Sequence, residues 1–250
     1  MTSATNNTGL ALFLILTIAY FIAVYKTDKK LHNMEFMIYM SLVYLAQFII
    51  NLYFSKSLCG SIQAKSSFIN TLLPWTLIFG ILVIILIMIP AWLKPFANSF
   101  GYLIISMMGL KKLLLTILKP KNVTKDKDLN EELQKLYDDP SLLINEVPNT
   151  QEGFEKFKES MKDLLDPKCN LEENLPKLQK LIELKFLISK FIWYLLGGIL
   201  TFSISYNFMI NSSCELSVKE MEEKHRQYER LVEKDKEKEV EPRVYNNYGD

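Results

Sequence analysis

The chain has 250 residues, 49% of them hydrophobic, and its 29 basic and 28 acidic residues leave a formal charge of +1. So balanced a charge gives no global field to recruit nucleic acid, and nine glycines and nine prolines are too few for a collagenous or low-complexity chain. The apolar residues are gathered into long runs whose natural solvent is a lipid bilayer, so the expected fold class is all-α, a polytopic helical membrane protein with about four transmembrane helices.

The first apolar run, residues 9–25, is near the lower limit for crossing a hydrocarbon core of about 30 Å. No Lys or Arg precedes it from Met1 to Thr8, while Lys26, Lys29 and Lys30 follow, which predicts an uncleaved anchor rather than a signal peptide. The second run, 34–54, carries Glu35 at its edge and Gln47 inside, where an amide should face a neighbouring helix. The third, 72–93, has Pro74 and Trp75 at its start and Pro90 and Trp92 at its end. Proline suits a first helical turn, and tryptophan prefers the water interface.

Residues 94–120 are apolar enough to suggest a fifth span but contain Asn98, Ser99, Gly101, Ser106 and the pair Lys111 and Lys112. Two lysines inside a span are costly, so an interfacial or re-entrant segment is expected. Residues 121–186 read as a small helical soluble domain. Leu129, Leu133 and Leu136 form one apolar helical face, Phe154, Phe157, Met161, Leu164 and Leu165 a second, and Leu175, Leu178, Leu181 and Ile182 a third. Pro140, Pro148, Pro167 and Pro176 punctuate them. The last of these helices is expected to run straight into the fourth span, 187–210. That span contains Phe191, Trp193, Tyr194, the pair Gly197 and Gly198, and Lys190 close enough to the surface to snorkel.

The tail, 211–250, has eight basic and eleven acidic residues after Cys214. Val218, Met221, His225, Tyr228 and Val232 follow the 3-4-3-4 spacing of a coiled-coil seam, although two heptads fall short of a coiled coil. A solvated single helix and a partner-binding helix both fit. Beyond Pro242, the stretch with Tyr245 and Tyr248 reads as a docking strip.

The loop after the first span holds three lysines, while the N-terminal residues hold none and Ser55–Thr71 holds only Lys56 and Lys65. The basic-residue rule therefore points the N-terminus away from the cytosol and 94–186 toward it; the tail follows the N-terminus unless a fifth span reverses it. On that topology, of three cysteines, Cys59 and Cys214 share the non-cytosolic side and Cys169 does not. A Cys59–Cys214 bridge and three free thiols are both open. Asn6, Asn122 and Asn211 head N-x-S/T triplets, which occur often by chance.

Chemistry is sparse. The two histidines, His32 and His225, have no companion ligand at helical spacing, so no metal site and no cofactor are expected. Phosphate loops, a nucleophile elbow and H-E-x-x-H are absent, and Asp138 with Asp139 reads as a turn before Pro140 rather than an acid/base pair. No enzymatic role and no small-molecule substrate follow. Gln47 and Asn207 are the polar groups noted inside the spans, thin support for a small channel or transporter, which stands as the alternative class.

From Pro74 to Gly80 the sequence reads PWTLIFG, and from Pro90 to Tyr102 it reads PAWLKPFANSFGY. This order of proline, aromatic and glycine residues resembles a pattern in membrane proteins of nucleocytoplasmic large DNA viruses that infect algae or protists. The resemblance covers some 30 residues and reaches neither the helical domain nor the tail. It implies a structural component of the internal virion membrane, a minor capsid protein linking membrane to shell, assembled in a host membrane of the endoplasmic-reticulum type. Its partners would then be the lipid bilayer and capsid or other minor capsid proteins, not nucleic acid.

Overall fold

In a computed structural model, residues 2–120, 127–212, 214 and 218–239 are described, and they are almost wholly helical, with no strand among them. Four helical stretches are long and apolar enough to cross a membrane: Thr8–Lys26, His32–Cys59, Ala64–Met88 and Leu171–Asn211. The first two are α1 (Thr2–Lys26) and α2 (His32–Cys59). Only Gly60–Gln63 separates α2 from α3 (Ala64–Pro74), so the loop is far shorter than hydropathy suggests. Gly60, at φ 74°, closes α2 in the left-handed conformation that glycine adopts without strain, and its N–H donates to Lys56 O at 2.9 Å.

The third span departs from the expected one in a physically informative way. Pro74 is not at a helix start but ends the eleven residues of α3, inside a continuous helical rod. A proline there cannot donate to the preceding turn and its ring crowds it. The chain responds with π-helical geometry over Trp75–Gly80 before resuming as α4 (Ile81–Met88). Pro90–Leu93 then forms a 3₁₀ turn outside that rod.

Next come a single turn, α5 (Lys94–Phe96), a π turn over Ala97–Gly101, then α6 (Tyr102–Met107) and α7 (Leu110–Ile117). Gly109, at φ 98°, makes the bend, and the axes on either side differ by 79°. The segment is a bent pair, not one straight rod. Its inner face, Ala97, Ile105, Leu110, Leu114, Ile117 and Leu118, shares one apolar core with Ile144, Phe154, Leu165, Leu178 and Ile182. That core is completed by α8 (Lys127–Asp138), α9 (Ser141–Ile144) and α10 (Gln151–Ser160). An isolated antiparallel bridge, Leu118 to Leu165, ties the end of the segment to the domain, with Lys119 N–H donating to Leu164 O and Asp166 N–H to Ile117 O, both at 2.9 Å. Leu136 packs on this core, whereas the side chains of Leu129 and Leu133 lie outside the described residues.

The domain and the fourth span share one helix, α11 (Leu171–Asn211), whose 41 residues extend about 60 Å. Asn170 caps it, its side chain accepting from Glu173 N–H at 3.4 Å. Pro176 lies in the second turn, past the first-turn positions where a missing N–H is harmless, and leaves Glu172 O without its helical donor. After Cys214 the chain resumes as α12 (Val218–Glu239).

Candidate functional site

Three places bring side chains from several elements together. The first is an aromatic centre in the bundle. Phe13 from α1, Trp75 and Phe79 from the π turn, and Tyr194 from α11 are all fully buried. Around Tyr194 lie Phe21 and Phe79 at 5.3 Å, Tyr39 at 6.2 Å and Tyr20 at 6.3 Å between ring centroids. Thr17 Oγ1 donates to Phe13 O and lies 3.1 Å from Tyr39 OH. Trp75 Nε1 and Tyr194 OH are buried without a hydrogen-bond partner. The glycine pair makes this centre possible: a Cβ on Gly198 would stand 1.9 Å from Phe13 Cζ, and one on Gly197 2.2 Å from Leu82 Cδ2. Both glycines are thus occupied in contacts within one chain. Lys190, expected to snorkel, places its Nζ 5.5 Å from the centre of the Tyr194 ring.

Toward the Cys59 end of the bundle, the apolar centre gives way to a buried polar seam. Asn51 Nδ2 donates to Thr71 Oγ1 at 2.7 Å and to Ser205 Oγ at 3.1 Å, and Ser205 Oγ donates to Asn70 O at 2.7 Å. Asn70 Nδ2 reaches Ser212 Oγ at 2.6 Å, and Ser67 Oγ donates to Asn51 O at 3.2 Å. Gln47 does face protein: it is buried, and its Nε2 lies 3.4 Å from Gly9 O. Asn207, by contrast, is on the exposed face. Asn51 and Asn70 were not singled out in the sequence, although an amide inside the second apolar run and one just before the third were the available signal.

The second place is the junction of bundle and domain, where Lys185, just before the apolar stretch 187–210, is 0% exposed. Its Nζ donates to Ile144 O at 2.9 Å, Asn98 Oδ1 at 3.1 Å and Asn145 Oδ1 at 3.4 Å, three acceptors for the three protons of an ammonium. The backbones close tightly here, since a Cβ on Gly101 would lie 2.4 Å from Lys185 O. Ser189 Oγ donates to Leu93 O at 2.6 Å and Trp193 Nε1 to Trp92 O at 2.9 Å, completing a seam along α11.

The third place is the base of the tail. Cys59 and Cys214 are joined as a disulfide with Cα atoms 5.5 Å apart, and Lys224 Nζ from α12 donates to Cys59 O at 3.1 Å. Cys169 is a partly buried free thiol at the domain core. Of the seam positions in the tail, Met221, His225 and Tyr228 are exposed and Val232 is half-buried; Val218 begins α12, its side chain outside the described residues. His225 Nε2 lies 3.3 Å from Glu229 Oε1. Tyr245 and Tyr248 also lie outside the described residues.

These places hold rings, amides, hydroxyls, a disulfide and the ammonium groups of Lys185, Lys190 and Lys224, and among the described residues no three His, Cys, Asp or Glu side chains converge on a point that could hold a metal. Asp139 Oδ1 accepts from Ser141 N–H at 3.0 Å and serves the turn before α9, whereas Asp138 Oδ2 accepts from Gln134 Nε2 at 2.8 Å along α8. Comparison with protein-family models, curated proteins and solved structures finds no match.

Proposed function

We propose that the chain is an integral membrane protein that serves as a structural or assembly component of a large DNA virus particle. It sits in the internal virion membrane, after assembly in a host membrane of the endoplasmic-reticulum type, and links that membrane to the capsid as a minor capsid protein. The observation that carries this reading is the use made of the residues that bear the viral resemblance. Pro74, Trp75 and Phe79 build the bundle centre, and Trp92, Asn98 and Gly101 lock the domain onto α11. They serve as a packing framework with no reacting group, and the proposal assigns the chain no catalytic step.

The topology that goes with this function has four crossings. A disulfide between Cys59 and Cys214 requires an even number of crossings between them, which Ala64–Met88 and Leu171–Asn211 supply. The bent pair Pro90–Ile117 then enters and leaves on one side, in keeping with its inner face packing on the domain core. The domain faces the cytosol, and α12, with its exposed Met221, Tyr228 and Leu231, faces the opposite compartment. Each side thus offers a surface to other proteins.

Quantitative mass spectrometry of purified, protease-shaved particles, before and after mild detergent, tests the function. The reading predicts abundant protein that leaves with the inner membrane or stays on the shell through a tail cross-link. Presence only in infected-cell membranes contradicts it. A second reading, transport, draws on the buried seam of Gln47, Asn51, Asn70, Thr71 and Ser205. It requires solute flux in proteoliposomes that Asn51→Leu abolishes, and unchanged leak on reconstitution removes it.

A further inference from the structure

The bent segment has a second face that the domain core does not use. Phe100, Leu103, Ile104, Met107 and Met108 are all exposed, Met107 at 80%, while Ile105 on the opposite side is fully buried. Sequence spacing explains the split, since 100, 103, 104, 107 and 108 fall on one side of a helix. Immediately after this apolar tip, Gly109 turns the chain, and α7 presents Lys111 and Lys112 outward while Leu110, Leu114 and Ile117 face the core.

The position of this face relative to the spans is fixed by α11. Leu93 and Gly101 contact α11 at Ser189 and Lys185, and Tyr25, in the last turn of α1, lines one apolar groove with Leu184. The segment therefore sits at the level where the first span ends and its lysines Lys26, Lys29 and Lys30 begin. Asp28 and Glu35 lie in the loop after the first span, and Asp139 and Glu146 approach Tyr102 and Lys185, but the segment itself carries only basic charge. From Phe36 to Lys125 the sequence contains no Asp or Glu, while Lys94, Lys111, Lys112, Lys119, Lys121 and Lys125 follow the third span. Of these, Lys119 is engaged with Asp163 O at 2.6 Å, and Lys94, Lys111 and Lys112 are exposed.

We infer that the segment is an anionic-phospholipid site: the Phe100–Met108 face dips into the acyl boundary of the cytosolic leaflet, and Lys94, Lys111 and Lys112 hold acidic headgroups around it. The inference rests on the membrane reading proposed above. An apolar face at interface depth next to unopposed lysines is the combination that binds an acidic leaflet, because acyl burial and phosphate attraction add. A protein partner would need carboxylates facing those lysines in a low-dielectric contact, whereas the leaflet already supplies phosphates at this height.

The test uses the full chain in a Cys169→Ser background, reconstituted into phosphatidylcholine vesicles with or without about one-third phosphatidylserine. A nitroxide on Met107→Cys should be accessible to oxygen and shielded from a water-soluble nickel complex. A nitroxide on Ile84→Cys, on the exposed face of the third span, is the reference. Spin-labelled phosphatidylserine should be preferred over phosphatidylcholine at the protein boundary, and Lys111→Gln with Lys112→Gln should lower that preference by at least about fivefold. Lys111→Arg with Lys112→Arg should keep it, which separates charge from folding. If Ile84 reports lipid and Met107 reports water, this inference fails while the membrane reading stands. If both report water, both fall. Acyl burial of Met107 with a preference unmoved by the glutamine pair overturns the anionic site.

Discussion

Lys185 is held at a cost. An ammonium removed from water is tolerated here because three acceptor oxygens receive its protons, and each of them would be left unpaired by Lys185→Met. Loss of those bonds should destabilise the domain core by about 2 to 3 kcal/mol, read as faster hydrogen exchange at the Lys119 and Asp166 amides. Unchanged exchange would mean that the three bonds contribute nothing net. Gly198 sets the opposite kind of constraint. Its missing Cβ gives room to the Phe13 ring, so Gly198→Ala should overpack the bundle by about 1 to 3 kcal/mol and Phe13→Leu should partly restore it. A double-mutant thermal melt in detergent, with the two effects simply additive, would contradict that contact. None of this could be read from sequence. Lys185 is spaced like any solvated helix lysine, and a Gly-Gly pair in a span does not say whether its partner is the same chain or another.

Long helices were easier to read, because run length alone distinguishes a span from a core helix. The continuity of α11 was also legible, since nothing between Leu178 and Leu187 breaks the helix. Ends and bends were not. Pro74 read as a helix start because proline is at home there, yet tertiary packing of Trp75 and Phe79 holds the rod together across it and a π turn absorbs the defect. The seam of Asn51, Asn70, Thr71 and Ser205 was unreadable for a related reason: which helices become neighbours decides which amides meet. At the tail, the disulfide and the Lys224 contact hold α12 against the Gly60 loop. Unfolded protein treated with a thiol mass tag should take up one tag before reduction and three after it; three tags without reductant would rule out the bridge. Deleting residues 218–250 should leave membrane insertion intact and abolish a cross-link to a shell protein. A retained cross-link would move the partner surface to the helical domain.

The parts combine into a molecule with two differently built ends. The domain end is a small core of helices and bent segment, clamped to α11 by Lys185, Gly101, Ser189 and Trp193. The opposite end is polar inside and tied by a covalent bridge, with a charged helix projecting from it. On the proposed reading, a bundle with a surface to offer at each end suits a linker better than a carrier that must alternate between shapes. The account depends on those surfaces lying on opposite sides of the membrane. Its most direct test is side-specific labelling of single cysteines in sealed microsomes, one placed at Lys162 in the domain and one at Tyr228 in the tail, with the native cysteines replaced by serine. Four crossings predict that a membrane-impermeant maleimide labels the first from the cytosol and the second only after the membrane is opened. Labelling of both from the cytosol would mean that α11 does not cross and would contradict the two-sided linker, whereas Tyr228 labelled from the cytosol with Lys162 reached only after opening would mean a fifth crossing by the bent segment and would take the disulfide and the lipid-facing wedge down together.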